Sequence, residues 1–166
     1  MARDNKNFRG KREKPEYDQK LLDLARVTRV VKGGRRFRFR ATLVIGNKKG
    51  KVGVGVGKGS DVSDAIRKAF DDAKKSIITV PIHNDTIPHE IVFKSRSARI
   101  ILKPAESGKG VIAGGAIRSV VDLAGIKNIT SKSLGTSNKL NVARATVEAF
   151  ASLSNARTRK SRLNQN

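Results

Sequence analysis

The sequence predicts an α+β protein made of two small two-layer domains. In residues 21–84, three segments with strand-like alternation are joined by glycine-containing turns and followed by one amphipathic helical segment. Residues 85–153 contain shorter strand segments and two further helical segments. Basic tails at 1–20 and 154–166 flank the two domains. We place the boundary between the domains in the polar, proline-flanked link at 81–88.

The first tail is expected to be disordered, because Phe8 and Tyr17 are its only large apolar groups and cannot offset the entropy of ordering. It is followed by an apolar lead-in at 21–25 whose helical or strand character stays open. Glycine hairpins are predicted to connect the three strands of the first domain. These strands are predicted at 26–31, 37–45 and 52–56.

The second and third strands are predicted to have two unlike faces. In the second strand, the apolar residues Phe37, Phe39, Ala41, Leu43 and Ile45 alternate with Arg36, Arg38, Arg40, Thr42 and Val44. One face is therefore expected to enter a core, and the other is largely guanidinium. The third strand alternates Val52, Val54 and Val56 with Gly53, Gly55 and Gly57. The valines predict a core face, and the glycines predict a bare strip that another backbone can approach closely.

One helix is predicted to complete the first domain. Ser60 is its expected N-cap, and Asp61 and Asp64 lie in its first turn, where the helix dipole favours acidic side chains. Apolar residues then recur at helical spacing from Val62 to Ile77.

The second domain is predicted as β-β-α-β-α. A glycine-rich turn at 104–110 is expected to lead directly into the first of its helices. The predicted strands are 90–94, 98–102 and 126–131, and the predicted helices are 111–124 and 138–153.

Charge is the strongest indication of function. The formal net charge is +22, and residues 24–60 hold eleven basic residues and no acidic one. A compact domain with this charge repels itself unless a counter-charged partner neutralises it. Nucleic acid is the expected partner, because an anionic membrane would prefer a basic amphipathic helix. No apolar run is long enough to span a membrane and no signal peptide is evident, which favours a cytoplasmic protein.

Enzymatic readings of the glycine-rich segments fail on spacing. Neither Gly57-Lys58 nor Gly108-Lys109 has the upstream glycine of a phosphate-binding loop, and a second glycine follows each lysine. The turn at 104–110 resembles the phosphate loop of galactokinase-type and homoserine-kinase-type enzymes, but it lacks their Ser-Ser-Ala continuation. His83 and His89, the only histidines, are expected on the surface rather than at a metal, and the chain has no cysteine. We predict a protein without enzymatic activity, cofactor or metal.

The basic strands favour RNA recognised by shape. Guanidinium groups match phosphate oxygens, and the two phenylalanines of the second strand are expected in the core, which leaves few aromatics for base stacking. The basic residues of these strands have no acidic residue within the same strands to pair with. The predicted RNA contacts are Arg29, Lys32, Gly33, Gly34, Arg35, Arg36, Arg38, Arg40, Lys48, Lys49, Lys51, Gly55, Gly57, Lys58, Lys109, Arg157, Arg159, Lys160 and Arg162.

Four segments, in order along the chain, resemble the bacterial ribosomal small-subunit protein five family. They are Val31-Lys-Gly-Gly-Arg-Arg-Phe37, Gly50-Lys-Val-Gly-Val-Gly-Val-Gly-Lys58, the segment from Pro104 to Arg118, and Asn138-Lys-Leu-Asn-Val-Ala-Arg-Ala-Thr146. The resemblance covers residues 21–153 and leaves both tails outside it.

The resemblance implies a first domain like a double-stranded-RNA-binding domain and a second of the left-handed βαβ type. It implies a structural constituent of the small ribosomal subunit that binds ribosomal RNA between body and head, lies near messenger RNA and contributes to subunit assembly and decoding accuracy. By the match, Lys32–Arg36 form an extended hairpin loop, and Gly114, Gly115 and Arg118 form a protein interface. The implied neighbours include small-subunit proteins four and eight. A free RNA chaperone or duplex-RNA-binding protein is the alternative.

Overall fold

The chain forms two sheets, each backed by helix, as the two-domain α+β prediction required. The computed structural model describes the backbone of residues 16–163 and the side chains of residues 16–153. The first domain contains β1 (Asp18–Val31), β2 (Gly34–Gly46), β3 (Lys51–Gly59), α1 (Val62–Lys75) and β4 (Ile78–Thr79). The second contains β5 (Ile91–Ser95), β6 (Ala98–Pro104), β7 (Val111–Ile112), α2 (Gly115–Ala124), β8 (Ile129–Leu134) and α3 (Lys139–Leu163).

The first sheet has the order β1-β2-β3-β4 and is antiparallel throughout. Its three long strands confirm the predicted ones and extend beyond them. The lead-in whose character was open is strand, because β1 pairs with β2 from Asp18 onward, with one irregularity between Leu21 and Asp23. The segment from Asp18 to Lys20 therefore belongs to the sheet and not to the predicted tail, and residues 1–15 lie outside the described part of the chain.

The glycine strip of β3 confirms the prediction of close backbone approach, and the approaching backbone is that of α1. A Cβ added to Gly53 would lie 2.6 Å from the carbonyl oxygen of Ala73, and one added to Gly55 or Gly57 would overlap the backbone of the helix. The helix presents Ala65, Ala69 and Ala73, all fully buried, to the strip. Small residues on both elements let the helix lie directly on the strand.

This packing corrects two predictions. Gly55 and Gly57 were expected at RNA, but both are buried beneath α1 and cannot reach a ligand. Ser60 was expected to cap the helix, but the N-cap is Asp61, whose Oδ2 accepts a hydrogen bond of 3.3 Å from the Ser63 amide. An aspartate at this position accepts a hydrogen bond from an amide that has no partner within the helix, and its negative charge interacts favourably with the positive end of the helix dipole.

The valine face of the first sheet joins the core of the second domain. Val44, Val52 and Val54 lie in one apolar cluster with residues of α2, α3 and the second sheet. The loop between β2 and β3 also contacts the end of α2, since the Lys48 amide donates to the Leu123 carbonyl at 2.9 Å and the Gly50 amide to the Ala124 carbonyl at 2.8 Å. The two domains therefore share a continuous core, where the sequence had suggested two separate ones.

The second sheet has the order β5-β6-β8-β7, with β7 parallel to β8. Val111 and Ile112 form β7 because they pair with Ile129 and Thr130, so the predicted helix at 111–124 begins only at Gly115. The strand predicted at 126–131 lies at Ile129–Leu134. Helix α3 continues to Leu163, which places the backbone of the predicted tail at 154–163 in helix, while its side chains lie outside the described residues. The left-handedness of the β7-α2-β8 connection stays a prediction.

The turn at 104–110 uses its amides within the protein. The amides of Gly108 and Gly110 both donate to Oδ1 of the buried Asn128, each at 3.1 Å, and the Lys109 amide donates to the Glu106 carbonyl at 3.2 Å. These three amides are therefore not free to cradle a phosphate. The turn also leads into β7 and not directly into a helix, which corrects the expected geometry and removes the resemblance to a kinase phosphate loop.

We predict that Gly55→Ala lowers the free energy of unfolding by about 1–3 kcal/mol, because the added methyl forces α1 away from β3. Urea denaturation measures the change. Gly115→Ala is the matched control, since a Cβ there meets nothing within 4 Å, and it should leave stability unchanged or slightly raised. Equal stability of Gly55→Ala and the unmodified protein would contradict the close helix–strand contact.

We predict that Asn128→Ala destabilises the protein by about 1–3 kcal/mol, because two turn amides lose their acceptor. Asn128→Asp keeps an acceptor oxygen in the same place and should recover most of this loss. Thermal or urea unfolding measures both variants, and an Asn128→Asp protein as unstable as Asn128→Ala would show that the side-chain oxygen is not what holds the turn.

Candidate nucleic-acid interface

A two-stranded hairpin projects from the first sheet. The pairing of β2 with β3 ends at Phe39 opposite Gly59, so residues 26–38 pair only across the β1–β2 hairpin. The turn at the tip is Lys32-Gly33, enclosed by the pair Val31 and Gly34. Gly34 has φ +145°, a conformation that favours glycine. The predicted extended loop is thus the end of a regular hairpin, with its tip clear of the rest of the described protein.

One face of this hairpin carries cations in register. Arg29 lies opposite Arg36, and Arg38 follows two residues along β2 on the same face. Lys58 of β3, which lies opposite Arg40, lines the same shallow groove as Arg29, Arg36 and Arg38. We call these four residues the arginine face. They are exposed, and they form no ion pair with any residue in the described range.

Two of the predicted contacts differ from the arginine face because they have acidic partners. Nη2 of Arg40 lies 4.0 Å from Oδ2 of Asp23, and Nζ of Lys48 lies 2.8 Å from Oδ2 of Asp18. The hydrogen bond from Lys48 to Asp18 is the main cause that raises the pKa of Lys48, and the negative charge of Asp18 raises this pKa further. The sequence predicts no acidic residue within the strands of these cations, and the acids that pair with Arg40 and Lys48 come instead from the start of β1. Asp18 lies in the predicted tail and Asp23 in the lead-in whose character the sequence leaves open.

The other predicted RNA contacts are distributed over four segments. Lys32, Gly33, Gly34 and Arg35 are exposed at or beside the hairpin tip. Lys49 and Lys51 are exposed at the loop between β2 and β3, where Oδ1 of Asn47 accepts from both of their amides, at 2.8 and 3.1 Å. Lys109 lies in the turn of the second domain. Arg157, Arg159, Lys160 and Arg162 lie where no side chains are described.

The opposite face of the hairpin carries an aromatic contact that the sequence did not suggest. Phe37 was expected in the core, but its side chain is 46% exposed. The guanidinium carbon of Arg26 lies 3.7 Å from the centre of its ring. Pairing places Arg26 opposite Phe39, diagonal to Phe37, and this cross-strand geometry is the signal that could have revealed the contact. Phe39 is partly buried and packs on the core beneath α1, as expected.

The start of α2 forms a second exposed site. Gly114 is the N-cap and makes no side-chain capping bond, and neither Gly114 nor Gly115 has a heavy atom within 4 Å of where a Cβ would lie. Both glycines line an open groove of about 670 Å³ with Leu21 and Leu22 of β1. Arg118 is exposed one helical turn further along. The glycines leave space in which another surface can approach the helix backbone.

The described residues provide neither a cluster of metal ligands nor a membrane-spanning helix. Within residues 16–153, no group of three or more His, Cys, Asp or Glu side chains lies together. None of the described helices is long and apolar enough to cross a bilayer. His83 and His89 are both exposed.

Comparison with known proteins gives matches over both domains. Residues 17–81 match the family described as ribosomal protein S5, N-terminal domain, and residues 93–162 match ribosomal protein S5, C-terminal domain. The chain is 54% identical over 143 residues to small ribosomal subunit protein uS5 of Campylobacter jejuni strain 81-176, covering 86% of this chain and 97% of that protein. It is 49% identical over 138 residues to uS5 of Thermotoga neapolitana, covering 83% and 78%. With a projecting basic hairpin on the first domain and family matches to both, the chain belongs to the ribosomal protein S5 family.

Proposed function

We propose that this protein is a structural constituent of the small ribosomal subunit in the cytoplasm and binds ribosomal RNA through the arginine face of its β1–β2 hairpin. The main observation in support of this proposal is that Arg29, Arg36, Arg38 and Lys58 lie together at the surface, with no acidic partner among the described residues. Unpaired cations at this spacing repel one another, and phosphate groups relieve that repulsion while releasing counterions. We assign the protein no enzymatic activity.

The shape of the hairpin supports this proposal. The hairpin extends beyond the part of the sheet that is paired with β3, which leaves the cations of its arginine face accessible to RNA phosphates. The stacked Arg26 and Phe37 tie the two strands together across the other face. A stiff hairpin loses less entropy on binding than a flexible loop, so its cations are held ready for phosphate.

We further propose that the groove beside Gly114 and Gly115 contacts a neighbouring small-subunit protein, with protein four as the leading candidate and protein eight as another neighbour. The open space over the α2 backbone and the apolar Leu21 and Leu22 beside it favour a protein partner. Through this contact, and through a position near messenger RNA, the protein would contribute to decoding accuracy and to the positioning of head and body.

We expect Arg36→Glu with Arg38→Glu to weaken incorporation into the small subunit and to leave the fold intact, since both side chains are exposed and unpaired. If each arginine contacts one phosphate, the log–log salt slope of binding to purified small-subunit ribosomal RNA should become shallower by about 2. Filter binding at several salt concentrations measures the slope, and circular dichroism checks the fold.

The matched control for this pair is Lys75→Glu with Arg96→Glu, which makes the same charge change at two exposed positions away from the hairpin that form no ion pair with the described residues. If both double variants lost affinity equally, binding would follow net charge and not the arginine face.

Sedimentation through a high-salt sucrose gradient distinguishes a subunit constituent from the alternative, a free RNA chaperone. A chaperone would be released from the subunit under those conditions, whereas a constituent would stay bound.

We expect Gly115→Phe to fill the α2 groove and displace the neighbouring protein without affecting RNA binding. Quantitative mass spectrometry of assembled subunits should show reduced protein four and an unchanged amount of this chain. Gly115→Ala, which adds only a methyl group, serves as the control. Normal retention of every neighbouring protein with Gly115→Phe would refute a protein contact at this groove.

A further inference from the structure

The second sheet has an uncovered outer face. Its register places nine side chains on the side opposite the core: Val92 and Lys94 of β5, Arg99, Ile101 and Lys103 of β6, Thr130, Lys132 and Leu134 of β8, and Ile112 of β7. We call these nine residues the outer face. The other side of the same strands carries Ile100, Leu102 and Ile129, all fully buried in the core shared with α2 and α3.

No described residue packs a second layer onto the outer face. Its aliphatic side chains stay accessible, with Val92 51%, Ile112 50% and Leu134 38% exposed. Antiparallel sheets commonly leave one face to water, but such faces are ordinarily polar. Aliphatic groups spread over all three longer strands and β7 indicate a surface that a partner covers.

The charges of the outer face are of one sign. The side chains of Lys94, Arg99 and Lys132 make no ion pair or hydrogen bond with the described residues, and none of the nine residues is acidic. Lys103 alone is paired, with Oε1 of Glu90 at 3.1 Å from its Nζ. Lys94 and Arg99 lie directly opposite each other across β5 and β6, an arrangement of like charges that destabilises a sheet unless an anion lies between them.

We propose that the outer face binds the sugar–phosphate backbone of structured RNA, as a second RNA-binding surface separate from the hairpin. The inference rests on the proposed function. RNA fits better than an acidic protein because it offers a dense row of phosphates to the cations on neighbouring strands. In addition, phosphates bound to the four cations of the arginine face would neutralise only a small part of the formal net charge of +22.

The side chains of the outer face also define how the RNA is held. There is no aromatic residue among the nine, so bases are not stacked on the sheet. The cations contact phosphates, while Val92, Ile101 and Leu134 pack against riboses. This mode reads the shape of an RNA helix and carries little sequence information.

A tethered cleavage experiment tests the proposal directly. The chain has no cysteine, so Lys132→Cys and Lys32→Cys each give a single attachment point for an iron chelate that generates hydroxyl radicals. Small subunits assembled with either labelled protein are probed for cuts in the ribosomal RNA, with untethered chelate as background. We expect cuts from both positions and in different RNA segments.

The two attachment points separate the possible failures. Cuts from Lys32→Cys but none from Lys132→Cys would overturn the inference and leave the proposed function standing. The same Lys132→Cys protein, labelled at its thiol with a photoactivatable crosslinker in place of the chelate, gives the alternative readout. A crosslink from it to another subunit protein, without RNA cuts from the chelate-labelled protein, would overturn the inference in favour of a protein partner. If neither position cuts and the protein does not co-sediment with the subunit, the proposed function itself fails.

A charge-removal variant gives a quantitative check. Replacing Lys94, Arg99 and Lys132 together by Gln should make the salt slope of binding to small-subunit ribosomal RNA shallower by about 2–3, for three lost phosphate contacts. The control replaces Lys74, Lys75 and Arg96 by Gln, which removes the same charge from exposed positions that are not part of the outer face and form no ion pair with the described residues. Equal slopes for the two triple variants would contradict specific phosphate contacts on the sheet.

Discussion

The close contact between α1 and the glycine strip of β3 is the constraint on which the rest of the structure depends. Gly53, Gly55 and Gly57 let the helix backbone lie against the strand backbone, with the small side chains of Ala65, Ala69 and Ala73 between them. Because α1 takes this face, the opposite face of β3 is free to present Val52 and Val54 to the second domain. The first sheet is thus covered on both sides where β2 and β3 pair, and the two domains are fixed to each other by a common core.

This arrangement also determines which basic residues can function. Two cations at the covered part of the sheet have local acidic partners, since Lys48 pairs with Asp18 and Arg40 with Asp23. Beyond the end of β3, the hairpin has neither a helix nor a second domain over it, and there the arginines are unpaired. Repulsion among unpaired cations raises the electrostatic free energy of the free protein, and binding an anion relieves this repulsion. The same reasoning applies to the outer face of the second sheet.

Much of the fold was predictable because local patterns determine it. Strand alternation located β1, β2 and β3, helical periodicity located α1 and α3, and the alternating glycines predicted a close backbone approach. Which backbone approaches was not predictable, since a strip of glycines fits a helix and a ligand equally well, and so Gly55 and Gly57 were wrongly assigned to RNA. The sequence predicts helix at Val111 and Ile112 because a two-residue strand has no periodicity of its own and exists only through its pairing with β8. Ion pairs and the exposure of Phe37 depend on register, which alternation alone does not supply.

The central claim is that the unpaired arginine face of the hairpin holds ribosomal RNA by its phosphates. A structure of the assembled small subunit containing this protein, at a resolution that defines side chains, tests it most directly. The account predicts guanidinium nitrogens of Arg36 and Arg38 at about 2.7–2.9 Å from phosphate oxygens, the spacing of charge-assisted hydrogen bonds. Both guanidinium groups facing solvent, or pairing with acidic side chains of a neighbouring protein, would contradict it.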